Sequence, residues 1–98
     1  MTAIILTITE TRPTPTVNFI AEDWDLINYI QKYNNIRKRN DPAGWTTSPD
    51  LLSRTIMHTF TSKNDLTTYV SDPLVAARIV LVDEYNAKNG ITATKIES

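Results

Sequence analysis

The chain carries a single histidine, His58. An imidazole, with an ordinary pKa of about 6.5, is the side chain suited to moving protons near neutrality, which makes His58 the candidate general base. Strand-like alternation over residues 52–60 sets Leu52, Arg54, Ile56, His58 and Phe60 on one face. Where such a face lines a pocket, His58 and Arg54 read as a catalytic base and an anion clamp, with Trp45 and Phe60 as substrate-binding walls. Positions four apart on a strand lie about 13 Å apart, so only the length of Arg54 could bring the two groups to one substrate. The plainer reading makes His58 a hydrogen-bonded wall or interface residue. Arg54 also has a rival use, because a hairpin centred on Pro49-Asp50 places Trp45 directly across from it. A guanidinium stacked on an indole is worth roughly 0.5–2 kcal/mol, and this stack is the favoured role of Arg54.

Other chemistry is thinly represented. Trp24, Tyr29, Tyr33, Tyr69 and Tyr85 fall in helical stretches at spacings typical of core or interface, so no cofactor follows from them. One histidine, no cysteine, and the pairs Asp23/Asp25 and Asp83/Glu84, which point around a helix, supply no metal set. Gly44 and Gly90 are the only glycines, too few for a phosphate-cradling loop. Arg37-Lys38-Arg39 beside Tyr33 and Trp45 could touch nucleic acid, but three bases at a helix C-terminus are usually a solvated cap. The overall balance of 10 basic and 11 acidic residues recruits neither nucleic acid nor a membrane surface. Leu74–Val82, the longest apolar run, is interrupted by Arg78 and falls far short of the ~20 residues that span a bilayer. The start, Met1-Thr2-Ala3-Ile4, lacks a basic signal region, so a cytoplasmic protein is expected.

The elements that must position these residues can be taken from periodicity. With 98 residues the chain is expected to form one domain, residues 1–98. Ala3–Thr11 alternates as a first strand, with Ile4, Leu6 and Ile8 inward and Ile5, Thr7 and Thr9 on a half-apolar second face. Pro13 and Pro15 end it. From Glu22 an amphipathic helix carries Leu26, Ile27, Ile30 and Tyr33 on one stripe, and its last turn is expected to reach Arg37–Arg39 before Asn40-Asp41-Pro42-Ala43-Gly44 stops it. Residues 45–60 read as an unequal hairpin, Leu51–Phe60 being the long arm, with Thr47 opposite Leu52 and Trp45 opposite Arg54. Ser62 then caps a helix bearing Leu66, Tyr69 and Val70. Asp72-Pro73 restarts it, with Leu74, Ala77, Leu81 and Tyr85 at helical spacing. Asn89-Gly90 is a left-handed C-cap, and Ile91–Glu97 an edge strand guarded by Lys95 and Glu97. Strand, helix, strand, strand, helix, strand in that order predicts an α+β fold: a ferredoxin-like βαββαβ sandwich with a four-stranded antiparallel sheet and its helices on one face.

The passage Thr59-Phe60-Thr61-Ser62-Lys63-Asn64-Asp65-Leu66-Thr67-Thr68-Tyr69-Val70-Ser71-Asp72-Pro73 resembles the dimeric α/β-barrel superfamily. Antibiotic-biosynthesis monooxygenase-like domains in that group carry aromatic-x-Ser-x-x-x-Leu-x-x-Tyr/Phe-x-x-x-Pro at the same place, and the element order of all 98 residues agrees. The motif is a cap, two core positions and a helix restart, so it speaks to fold more than to chemistry. The resemblance implies a homodimer whose open sheet faces close a barrel across two subunits. Apolar doublets at Ile4/Ile5, Leu51/Leu52 and Ile56/Met57 suit a sheet covered on both sides. Some relatives degrade haem with a histidine in the second helical region, but Ser62–Asn89 contains none.

Two functions follow as expectations. One is a non-enzymatic accessory or assembly domain, in which the barrel is a scaffold. The other, implied by the resemblance, is a cofactor-independent monooxygenase or isomerase acting on a small aromatic or polyketide-like ligand held by Arg54, His58 and Trp45. The enzyme needs a real cavity, and one of ~300 Å³ or more with both His58 and Arg54 at its wall would support it.

Overall fold

A computed structural model describes residues 2–39 and 45–98. The predicted turn Asn40–Gly44 lies outside the described residues. The elements are β1 (Ile4–Thr11), α1 (Trp24–Tyr29) running into a 3-10 turn (Ile30–Tyr33), β2 (Arg37–Arg39), β3 (Thr46–Thr47), β4 (Ser53–Phe60), α2 (Lys63–Val70), α3 (Pro73–Asn89) and β5 (Thr92–Glu97). This is an α+β architecture with a single antiparallel sheet in the order β2-β4-β1-β5, β3 also pairing with β4. That order is compatible with a ferredoxin-like arrangement.

The β-branched alternation of β1 and β4 makes them the central pair, registered Ile4 to Phe60 and Thr11 to Ser53. One face therefore gathers Leu6, Ile8 and Glu10 beside His58, Ile56 and Arg54, and this is the face the helices cover. Phe60 is wholly buried there against Tyr69 of α2, ring centroids 5.5 Å apart. Ile56, Leu66, Val75 and Ile91 complete a small apolar core on the same side.

The helix caps follow the sequence signals closely. Ser62 accepts from the Asp65 amide and Asp72 from the Leu74 amide, with Pro73 opening α3, and Gly90 closes it at φ 70°. At that angle a residue with a Cβ is strained, which is why glycine suits the position. Asp72 does more than cap. Its second oxygen accepts from the hydroxyls of Tyr29 and Tyr33 at 2.8 and 2.6 Å, locking α1 and the 3-10 turn to the start of α3. Hydrogen bonds from Tyr33 first, then from Tyr29, hold its carboxyl well below the usual range.

Three expectations are corrected. The first helix does not reach Arg37–Arg39: α1 ends at Tyr29, and the amides of Asn34 and Ile36 turn back onto Gln31 and Tyr33. Freed from the helix, Arg37–Arg39 pairs with Phe60–His58 of β4, filling ladder positions that a continuing helix would leave open. The hairpin register also shifts by two residues, so that Thr47 faces Arg54 and not Leu52. Ser48 and Asp50 bond each other and the amides of Ser53 and Leu52, building a longer loop in which Leu51 takes φ 64° and leaves the strand. Finally, Leu74 and Leu81 are half-exposed, and α3 turns Val75 and Asn86 inward instead.

Candidate functional site

The helix-facing side of the sheet holds two polar assemblies, both on β4. In the first, Arg54 donates to Oε1 of Glu10 at 2.7 Å, and the amide nitrogen of Asn86, from α3, donates to the other carboxylate oxygen at 3.0 Å. Glu10 is 2% exposed and Asn86 4%. The Arg54 guanidinium is sandwiched, lying 4.0 Å from the Trp45 ring and 4.6 Å from that of Phe19. The Arg54–Trp45 stack therefore forms despite the shifted register, because a two-residue slip keeps both side chains on the same face. Trp45 is fixed in turn by donating to Glu22.

The second assembly lies four residues along β4. Nε of Arg37 donates to Nδ1 of His58 at 3.2 Å, and the Arg37 guanidinium sits 4.9 Å from the Tyr69 ring. An imidazole that accepts at Nδ1 carries its proton on Nε2, so His58 is the neutral Nε2–H tautomer. Burial, reinforced by the positive charges of Arg37 and Arg39, pushes its pKa down to about 3. Burial first, and the neighbouring Arg39 charge after it, lowers Arg37, while burial raises the Tyr69 hydroxyl. Among the described residues no carboxylate lies within ion-pair distance of Arg37 or Arg39. Nε2 of His58 and Nε of Arg39 are both buried with no hydrogen-bond partner.

Three cavities run through this loosely filled layer between sheet and helices. One of about 180 Å³ is bordered by Glu10, Arg54, Trp45 and Asn86. A second, of about 340 Å³, is bordered by His58, Leu6, Leu66, Tyr69 and Val75. A third, of about 150 Å³, is bordered by Arg37, Arg39, His58, Tyr69 and Trp45. Thus the structure brings Trp45 and Arg54 together and puts Arg37 beside His58, but His58 and Arg54 share no cavity. Phe60 packs against Tyr69 and His58 and borders none of the three.

Several site residues escape a reading of the sequence alone. Glu10 had a usable signal, since it continues the inward series Ile4, Leu6, Ile8 and a carboxylate at a core position demands a partner. Arg37 and Arg39 were masked by their assignment to a helix end. Phe19 and Asn86 offered none. Among the described residues, no group of three His, Cys, Asp or Glu side chains could hold a metal ion, and no helix is long and apolar enough to cross a membrane. Comparison with protein-family models, curated proteins and solved structures finds no match for this chain.

Proposed function

We propose that the chain works as a homodimeric, non-enzymatic accessory or assembly domain of ferredoxin-like βαββαβ order, pairing through its open sheet face as dimeric α/β barrels do. In this order β2 and β3 are two stretches of one edge strand, which their shared antiparallel pairing with β4 supports. The observation that carries the dimer is the chemistry of the face turned away from the helices. Across β4, β1 and β5 it presents Ser53, Thr55, Met57 and Thr59, then Ile5, Thr7, Thr9 and Thr11, then Thr92, Thr94 and Ile96, without one charge, Lys38 of β2 standing at its edge beside Thr59.

Hydroxyls on this face bond each other, Thr9 to Thr55 at 3.1 Å and Thr11 to Ser53 at 2.8 Å, which satisfies part of their hydrogen bonding without solvent. A solvated sheet face is ordinarily punctuated by charge. Four strands of this length offer about 500 Å² per copy, or about 1,000 Å² in a pair, the lower bound for a specific interface. Light scattering at micromolar concentration is expected to give the mass of two chains, and Met57→Lys, at the centre of the face, to give one chain with unchanged circular dichroism. A wild-type mass of one chain overturns the proposal.

A cofactor-independent monooxygenase or isomerase is the second reading, favoured by the 340 Å³ cavity walled by His58. Against it weigh an imidazole too weakly basic to take a proton at neutrality and an Arg54 already engaged by Glu10.

A further inference from the structure

We propose that Arg37, Arg39 and His58 form the head-group site of a binding pocket for an organic carboxylate with an apolar body. The inference is independent of whether the chain pairs with a second copy.

The charge balance is the first ground. Arg37 is 8% exposed, and Arg39 stands two residues along the same strand, yet neither has a carboxylate within reach among the described residues. Two guanidinium groups this close, one of them buried, repel each other and lose hydration, a cost that an anion between them removes. Glu22 and Asp23 border the same small cavity, but Glu22 accepts from the Trp45 indole and Asp23 caps α1.

Unused donors are the second ground. Because His58 accepts from Arg37 at Nδ1, its Nε2 bears a hydrogen, and that hydrogen is buried without an acceptor. The Nε–H of Arg39 is in the same condition. Buried donors without acceptors are rare, and here both belong to one cluster whose missing component is an acceptor of negative charge. A carboxylate has two oxygens that can accept from both, with charge-assisted bonds.

The third ground selects the body of the ligand. His58 and Tyr69 border both the small basic cavity and the 340 Å³ cavity, so the two open onto a common wall. The larger has an apolar wall of Leu6, Leu66, Val70 and Val75, suited to a ring or short chain, with Lys63, Arg78, Lys95 and Glu97 also bordering it. Inorganic phosphate would satisfy the donors but leave that space unfilled.

Because His58 is the only histidine, its ring proton signals in an NMR titration report this pocket without ambiguity. Titration with benzoate is expected to move them saturably and to raise Tm. Benzyl alcohol, the neutral counterpart, and inorganic phosphate are each expected to bind at least tenfold more weakly. Arg39→Gln, at a half-exposed position that leaves the core intact, is expected to weaken benzoate binding at least tenfold, with Arg39→Lys recovering part of it. Lys38→Gln, on the opposite side of the strand, should change nothing. Benzyl alcohol binding as well as benzoate overturns the carboxylate assignment, and phosphate binding as well as benzoate overturns the apolar-bodied ligand. Benzoate that leaves the His58 signals unmoved, or binds equally to the folded Arg39→Gln protein, overturns the site.

Discussion

Arg54 and Arg37 both reach from neighbouring strands into the layer beneath the helices, but their surroundings differ in sign. Arg54 meets the buried carboxylate of Glu10 at 2.7 Å, which Asn86 steadies from α3, and its flat faces are covered by Trp45 and Phe19. Arg37 meets a neutral imidazole, the electron-rich face of the Tyr69 ring and, two residues away, a second arginine. The first assembly is balanced in charge, although Oδ1 of Asn86 is buried without a partner, and it couples β1, β4 and α3 as structure. Among the described residues the second has no carboxylate at ion-pair distance, and a buried cation without one is costly to hold for stability alone. A polar group that stability does not explain is a reasonable place to look for binding.

The sharpest way to break this contrast is to unbalance the complete assembly. Glu10→Gln keeps the shape and the Asn86 contact but strands the Arg54 charge, and it is expected to destabilise the protein by about 3–5 kcal/mol in urea unfolding. Adding Arg54→Met to Glu10→Gln removes the stranded charge and should recover at least half of the loss. A loss below about 1 kcal/mol for Glu10→Gln would mean that the pair is solvated, and the contrast between the two arginines would collapse.

The incomplete assembly has its own signature in acid. His58 titrates near 3 in the folded chain against 6.5 unfolded. The unfolded state therefore binds more protons anywhere between those values, and stability falls as the pH is lowered through the window. The expected loss between pH 7 and pH 5 is about 2 kcal/mol. His58→Gln should flatten that slope. Asp72 and Asp50, whose carboxyls are depressed by hydrogen bonds first from Tyr33 and from Ser48, lose their contributions as the pH falls through the ordinary carboxylate value of 3.8 and below it, so the comparison of pH 7 with pH 5 isolates His58.

How far the sequence revealed these assemblies depended on whether the signal was local. Ser62, Asp72-Pro73 and Gly90 are caps, each decided by bonds within a few residues, and the α2–α3–β5 half follows their reading closely. Arg54 on Trp45 was legible too, since a hairpin brings them together. The Arg37–His58 contact was not, because it depends on an edge strand forming where charge order favoured a helix end. What decided the matter was the row of open backbone positions on Phe60–His58, a tertiary demand that local propensity does not contain. Likewise the spacing of Leu74, Ala77 and Leu81 gives a helix but not its rotation. The bond from Asn86 to Glu10, spanning 76 residues, and the burial of Val75 fix that.

The smallest expected effect is the most discriminating. Arg37→Met deletes a buried cation and keeps an unbranched side chain of similar length. It relieves desolvation and the repulsion from Arg39, both stabilising, while it orphans Nδ1 of His58 and gives up the contact with Tyr69, both destabilising by about 1 kcal/mol. These terms oppose each other, so the net change in urea unfolding is expected to stay within about 1 kcal/mol of zero. The corresponding replacement on the other side, Arg54→Met, strands the Glu10 carboxylate and should cost about 3–5 kcal/mol. With Arg37 gone, His58 should also titrate at higher pH, which narrows the acid-labile window from its lower end and shows up as a shallower loss below pH 5. Equal penalties for Arg37→Met and Arg54→Met would mean that Arg37 is as well compensated as Arg54, and the case for a missing anion would fail with it.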